Sequence, residues 1–139
     1  MPTACHTVCF RVRYSEVDPM GSYYNSRALE WFEHGRSELL RHLGMPYREM
    51  EQRGVQLPVV ETHAQFLGRA QYDDLLKMTS TLSPAGKARY RFDVEICSAD
   101  TQQPVCRGWT VHAVVDPAGK AIRPPSWLRE FIAVHAENL

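Results

Sequence analysis

The stretch DPMGSYYNSRALEWFE, residues 18–33, decides the fold because a turn here changes directly into the start of a buried helix. Proline, glycine and serine favour the turn. From about Tyr24, apolar residues recur at helical spacing until Gly44 and Pro46 end the pattern. This helix is long and mostly apolar, so the sequence predicts that other elements wrap around it. A carboxylate, Asp18, stands just before the change.

The segments flanking this helix alternate in polarity with a period of two, as strands with one buried face do. The predicted strands are residues 8–14, two segments within 55–83, residues 89–96 and residues 105–116. Gly108 in the last of them is expected to relieve crowding or permit a bulge. A terminal amphipathic helix is predicted from Ser126. One strand, followed by a helix and a run of hairpins, predicts an α+β fold. Such a sheet would leave one edge exposed, and a second copy of the chain would cover it.

Length and charge exclude several classes of protein. The chain has 139 residues, enough for one hydrophobic core, and we expect a single domain over residues 1–139. Sixteen Lys and Arg balance sixteen Asp and Glu, so no overall field favours nucleic acid or an anionic membrane. No apolar run spans a bilayer, and the first residues lack the pattern of a secretion signal. We therefore expect a cytoplasmic protein with no nucleic-acid or membrane partner.

The cysteines indicate no metal site. Cys5, Cys9, Cys97 and Cys106 form no C-x-x-C pair. A hairpin centred near Thr101 would place Cys97 opposite Cys106, where a disulfide is conceivable, but a reducing cytoplasm disfavours it.

A longer stretch, RYSEVDPMGSYYNSRALEWFEHGRSELLRHLG (residues 13–44), resembles the opening of the hotdog-fold acyl-CoA thioesterases of the 4-hydroxybenzoyl-CoA thioesterase type. Their pattern is roughly R-Y-x-x-x-D-x-x-G-x-x-Y-x-x-x-Y-L-x-[WF]-F-E-x-x-R. The residues that match in register are Arg13, Tyr14, Asp18, Gly21, Tyr24, Leu29, Trp31, Phe32, Glu33 and Arg36. AQYDDLL and VVDPAGKAIRPP resemble later family segments, so the resemblance covers nearly the whole chain.

The resemblance implies a hotdog fold, in which about five antiparallel strands wrap one central helix and a short C-terminal helix follows. It also implies edge-to-edge homodimers, alone or as dimers of dimers, with active sites at the subunit interface. The substrate would be an acyl-CoA, so coenzyme A would enter as part of the substrate and not as a cofactor. Asp18 would act as nucleophile or general base, and N–H groups of the first helical turn would polarise the thioester carbonyl.

The residues themselves support this interpretation of Asp18. A helix N-terminus offers unpaired N–H donors and a partial positive charge, which can stabilise an oxyanion close to the carboxylate. Gly21 leaves the backbone uncovered for an approaching acyl group. Asp18 could instead cap the helix, which would be worth about 1 kcal/mol. However, Ser22, Asn25 and Ser26 are better placed for capping, and with the resemblance we favour the catalytic role.

Further residues are candidates for substrate binding. Tyr24 either packs as a core aromatic or lines the pocket, and Asn25 stands where many relatives carry His, Tyr or Pro. His63 could approach the site from the partner subunit or be purely structural. Glu33 and Arg36, three residues apart, are expected to pair and to hold the helix or the dimer.

The phosphates of coenzyme A need local cations in a neutral protein. Lys87, Arg89 and Arg69 are the candidates, although Lys87 and Arg89 are equally compatible with a solvated sheet face. Asn25 in place of a histidine counts against a hydratase or dehydratase. The alternative to an enzyme is a module that binds acyl-CoA or an acyl-carrier protein with little or no catalysis. Whether the acyl group is aromatic or aliphatic stays open.

Overall fold

The computed structural model describes residues 4–136. Its elements are β1 (Cys5–Arg11), α1 (Arg27–His42), α2 (Tyr47–Gln52), β2 (Val59–Phe66), β3 (Leu75–Pro84), β4 (Arg89–Ser98), β5 (Pro104–Ala113) and α3 (Ser126–Ala136). A single 3-10 turn, Tyr14–Glu16, separates β1 from the loop that leads into α1. None of the helices in this range has both the length and the apolarity needed to cross a bilayer.

The five strands form one antiparallel sheet in the order β1-β3-β4-β5-β2, and α1 packs across one face of it. The alternation predicted for β4 is confirmed: its apolar residues are buried beneath the helices and the residues between them are half-buried or exposed. The core residues that β4 contributes are Tyr90, Phe92, Val94 and Ile96. The predicted α+β arrangement of five antiparallel strands around one long helix is therefore confirmed.

Two glycines allow α1 to lie very close to the sheet. A Cβ atom on Gly35 of α1 would lie 2.5 Å from Ser80 Oγ of β3. A Cβ atom on Gly108 of β5 would lie 2.9 Å from Phe32 Cε2 of α1 and would overlap the carbonyl oxygen of His63 in β2. The prediction that Gly108 relieves crowding is confirmed, because no larger side chain fits at that contact.

Two local placements were wrong. Tyr14 does not share the buried face of β1: the strand ends at Arg11, and Tyr14 lies 77% exposed in the 3-10 turn. Cys97 and Cys106 do not lie opposite each other, because a register shift in the β4–β5 hairpin places Cys106 opposite Ile96 and Cys97 opposite Pro104. Both cysteines are free, in agreement with the expectation that a disulfide is disfavoured.

Candidate active site

The loop before α1 is fixed by a buried carboxylate. Glu16 is only 2% exposed, and its carboxylate accepts hydrogen bonds from the Arg13 N–H at 2.7 Å and from Trp31 Nε1 of α1 at 2.9 Å. The carbonyl oxygen of Glu16 accepts the Tyr24 N–H at 2.8 Å. Burial alone would raise the pKa of Glu16. The hydrogen bonds from Arg13 and Trp31 to its carboxylate lower the pKa by more, so the net pKa is below its ordinary value. Glu16 is therefore ionised, and its hydrogen bonds fix both the start and the end of the loop.

Asp18 lies at the centre of this loop and does not cap α1. Its Oδ1 accepts the Met20 N–H at 2.9 Å, and its carbonyl oxygen accepts the Gly21 N–H at 2.9 Å. Gly21 has a φ of +83°, which explains the glycine at this turn. Within residues 4–136, Asp18 Oδ2 has no hydrogen-bond partner. The half-buried carboxylate thus keeps one oxygen free of hydrogen bonds from the described residues.

Asp18 faces a cleft of about 430 Å³, which we call the Asp18 cleft. Its lining residues are Asp18, Met20, Ser22, Tyr23, Asn25, Phe66, Gly68 and Arg69. One wall is the loop before α1 and the other is the segment after β2. The two walls are tied together where an Arg69 guanidinium N–H donates to the Met20 carbonyl oxygen at 2.7 Å and the Tyr23 N–H donates to the Ala70 carbonyl oxygen at 2.9 Å.

The free backbone donors lie just before the helix and not in its first turn. The N–H groups of Arg27, Ala28 and Leu29 donate to carbonyl oxygens three residues earlier, at 2.8, 3.1 and 3.2 Å. The N–H groups of Ser22, Asn25 and Ser26, in contrast, have no acceptor in the described part of the chain. Because Ser22 and Asn25 line the Asp18 cleft, their N–H groups are candidate donors to a ligand there.

The other predicted substrate-binding residues lie at different distances from the cleft. Asn25 is in its wall, whereas Tyr24, which is 58% exposed, follows the loop but is not among the lining residues. His63 lies on the outer face of the sheet, where its ring stacks on Trp109 with centroids 5.9 Å apart. Within one chain, therefore, the structure does not bring His63 to Asp18.

The predicted phosphate-binding cations are also separated. Arg69 is at the rim of the Asp18 cleft. Lys87 and Arg89 are exposed at the β3–β4 turn, at the far end of β3 from the cleft. A ten-residue strand spans roughly 30 Å, so Lys87 and Arg89 lie far from Asp18 of the same chain.

The predicted Glu33–Arg36 pair is not formed. No ion pair within 4.0 Å joins the two side chains, although Glu33 acts on the Arg36 charge at longer range and raises its pKa against the larger effect of burial. In residues 4–136, no three His, Cys, Asp or Glu side chains lie close enough together to hold a metal ion.

Sequence reasoning missed Glu16 and Phe66. Glu16 is separated from Trp31 by fifteen residues, and only the indole-to-carboxylate bond reveals its role as the anchor of the loop. Its position three residues after Arg13, a spacing that permits a local cap, was the one available signal. Phe66 carried no signal, because it reaches the cleft only through the pairing of β2 with β5.

Known proteins are similar to this chain in sequence or in architecture. YneP of Bacillus subtilis is 40% identical over 63 residues, which are 45% of this chain and 46% of YneP. The acyl-acyl carrier protein thioesterase ATL3 of Arabidopsis thaliana is 27% identical over 124 residues, 89% of this chain and 65% of ATL3. The 1,4-dihydroxy-2-naphthoyl-CoA thioesterase from Synechocystis has the same fold, with a TM-score of 0.83 at 22% identity over 93% of this chain and 96% of that chain.

A family model also matches most of the chain. The model of the thioesterase-like superfamily covers residues 12–132 and so includes the loop with Asp18, strands β2 to β5 and most of α3. The chain belongs to the thioesterase-like superfamily of hotdog proteins.

Proposed function

We propose that the protein hydrolyses an acyl-CoA thioester to the free acid and coenzyme A. One observation carries the proposal: a half-buried carboxylate, Asp18, has one oxygen without a partner in the described residues and faces the same cleft as two free backbone donors, Ser22 and Asn25. A base or nucleophile beside an oxyanion site is what acyl transfer requires. Membership of the thioesterase-like superfamily supports the same reaction.

In the proposed reaction the thioester carbonyl oxygen lies against the N–H of Asn25. As general base, Asp18 takes a proton from water while the water oxygen attacks the carbonyl carbon, and the backbone N–H stabilises the resulting oxyanion. The C–S bond then breaks, and the departing thiolate takes a proton to become the free thiol. As nucleophile, Asp18 would attack the carbon itself and water would release the acid from the anhydride. Gly21 shapes the turn that presents Asp18 but does not itself line the cleft.

The active unit we propose is a dimer in which β2 strands of two copies pair. β2 is an edge strand of the sheet, and its apolar residues are unusually exposed, with Val60 47% and Phe66 45% exposed. An unpaired edge of this kind favours strand addition. Antiparallel pairing would put the start of β2 in one copy beside Phe66 and the Asp18 cleft of the other.

This dimer would bring the separated candidates together. Lys87 and Arg89 lie at the end of the sheet where β2 starts, because Arg89 pairs with Ala113 at the end of β5. In the proposed dimer they would approach the Asp18 cleft of the second copy, where Arg69 already stands. Their charges would then meet the phosphates of coenzyme A. His63, at the middle of β2, would lie near the two-fold axis.

The test is release of free thiol from a panel of short, long and aromatic acyl-CoAs by the wild-type protein and by Asp18→Asn. The amide retains an oxygen to accept the Met20 N–H, so the variant should fold, while turnover falls by about 10²–10⁴. Asp116→Asn is the matched control, because Asp116 Oδ1 accepts the Ala118 N–H in a similar turn away from the cleft.

Unchanged turnover in Asp18→Asn would remove Asp18 from the mechanism. Failure of the folded wild-type protein to release thiol from any acyl-CoA, together with binding of the intact thioester, would favour the alternative function of a binding module. Release from acyl-carrier protein only would identify the carrier as a protein and not coenzyme A.

A further inference from the structure

A second cavity, of about 250 Å³, lies between α1, α2 and the segment that enters β2. We call it the Arg36 cavity, and its polar lining residues are Glu33, Arg36, Ser37, Tyr47 and His112. It shares no lining residue with the Asp18 cleft. The proposed reaction therefore leaves this cavity without a role.

Arg36 is the unusual group in its wall. The side chain is half-buried, and no acceptor or carboxylate among residues 4–136 makes a hydrogen bond or an ion pair with its guanidinium. The other two arginines of α1, Arg27 and Arg41, each pair with a glutamate on the same helix. Partial burial of an unpaired charge costs free energy, which an anionic partner would offset.

The remaining polar groups of the wall are one carboxylate and several neutral groups. The carboxylate is Glu33, whose side chain is exposed and makes no ion pair with Arg36 within 4.0 Å. Tyr47 Oη accepts the Leu57 N–H at 2.9 Å, which leaves its own hydroxyl proton free to donate. His112 bonds through Nδ1 to the Leu57 carbonyl oxygen and through Nε2 to Thr110 Oγ1, both at 2.8 Å. Burial lowers the pKa of His112 to about 4, so the ring is neutral near pH 7. A ligand that satisfies Arg36 and the Tyr47 hydroxyl must therefore supply acceptor oxygens.

The opposite wall is apolar. Leu40, Leu57 and Phe92 give it the character of a hydrocarbon pocket, and the volume admits only a small group. We propose that the Arg36 cavity binds a small organic carboxylate, with the Arg36 guanidinium on the carboxylate and the apolar wall on the hydrocarbon body. A planar guanidinium suits a carboxylate because two parallel N–H groups can donate to its two oxygens.

Two sources of this carboxylate share the same chemistry. The first is a distal carboxylate on the acyl group, and it rests on the proposed thioesterase function. Val59, at the start of β2, lines the Arg36 cavity and Phe66, at the end of β2, lines the Asp18 cleft. Antiparallel pairing of two β2 strands would therefore place the Arg36 cavity of one copy beside the Asp18 cleft of the other. The second source is a free carboxylic acid, such as a hydrolysis product.

The binding test uses calorimetric titration of the whole protein with benzoate and with benzamide, its uncharged analogue. Wild type and Arg41→Gln, the matched control on the same helix, should bind benzoate, whereas Arg36→Gln should bind it at least about tenfold more weakly. Wild type should also prefer benzoate to benzamide. If Arg36→Gln does not fold, Arg36→Lys replaces it and should show an intermediate loss, because the charge stays and the paired donors are removed.

Absence of benzoate binding to folded wild type, or equal binding by wild type and the Arg36 variant, would overturn the proposal. Light scattering adds a further check: if Arg36→Gln loses self-association but keeps benzoate binding, Arg36 is an interface residue and the proposal is wrong. Because these titrations need no turnover, failure of the thioesterase proposal leaves them interpretable.

Hydrolysis then separates the two sources. Glutaryl-CoA and valeryl-CoA have acyl chains of equal length, and only the first ends in a carboxylate. A selective loss of kcat/KM for glutaryl-CoA in Arg36→Gln would identify the acyl terminus as the ligand. Benzoate binding that depends on Arg36, with both thioesters unaffected by the variant, would identify the free acid.

Discussion

The entrance of α1 and its middle contrast in how they use polar groups and space. At the entrance, the backbone is held by the bonds of Glu16, while Asp18 Oδ2 and the Asn25 N–H have no partner in the described residues. In the middle, Gly35 and Gly108 remove side chains so that helix and sheet touch. The comparison teaches that one helix has polar groups without hydrogen-bond partners at its entrance and close packing against the sheet at its middle. Mutations in the two regions should therefore have different consequences.

The largest effect should follow from enlarging the packed contact. Gly108→Ala would place a methyl group against the backbone of β2, which cannot move without breaking strand pairing. We expect a loss of about 3 kcal/mol or more in the free energy of unfolding, measured by chemical denaturation. Gly119→Ala is the control: it has a φ of +83° but nothing within 4 Å, and should cost only about 1–2 kcal/mol. Equal losses would contradict the crowding argument.

The next effect should come from the anchor of the entrance. In Glu16→Gln, one amide oxygen must replace two carboxylate oxygens that accept from Arg13 and Trp31. We expect a loss of about 2 kcal/mol in the free energy of unfolding. Thioesterase turnover should fall as well, because the loop that carries Asp18 loses its anchor. Full activity in a destabilised variant would show that the position of Asp18 does not depend on the Glu16 anchor.

The same residue predicts an acid dependence. The pKa of Glu16 in the folded protein lies below its ordinary value of 4.5, because the Arg13 and Trp31 hydrogen bonds outweigh the opposing effect of burial. Its contribution to stability is therefore complete above the unfolded pKa and is lost as the pH falls through the folded pKa. Unfolding free energy measured from neutral to acidic pH should decline less steeply in Glu16→Gln than in wild type. Parallel curves would show that other groups dominate the acid limb.

A smaller effect is expected at the second glycine contact. Gly35→Ala brings a methyl group against Ser80 Oγ and should cost about 1–2 kcal/mol in unfolding free energy. Ser80 Oγ is buried and has no hydrogen-bond partner within residues 4–136, so Ser80→Ala alone should be neutral or stabilising. The double variant should recover most of the loss, as a double-mutant cycle would measure. Additive losses would place the strain elsewhere.

The smallest effects concern the exposed cations. Lys87→Ala and Arg89→Ala should each raise KM for acyl-CoA by about two- to fivefold, since exposed ion pairs contribute less than 1 kcal/mol. They should leave KM for the acyl-pantetheine thioester, which lacks the nucleotide phosphates, unchanged. Arg69→Ala also removes the hydrogen bond to the Met20 carbonyl oxygen and should therefore lower the rate of hydrolysis of both substrates. Equal changes in KM for both substrates in Lys87→Ala would exclude a phosphate contact.

Much of the fold and part of the site followed from the sequence. Alternation in β4, the helical spacing in α1 and the turn around Gly21 are local patterns, because side-chain periodicity and backbone conformation depend on neighbours in the chain. These patterns, with the family resemblance, were enough to predict the sheet, the central helix and Asp18 at the helix entrance. They also placed Gly108 correctly at a crowded position.

The tertiary structure decided which groups meet and which stay unpaired. The bond from Trp31 to Glu16 and the contribution of Phe66 to the Asp18 cleft both bring together residues that are distant in sequence. The lack of a partner for Arg36 depends on which side chains surround it in the folded chain. Local spacing predicted a Glu33–Arg36 pair that does not form, although both side chains line the same cavity. Periodicity specifies the face on which a residue lies, but only packing determines its partner there.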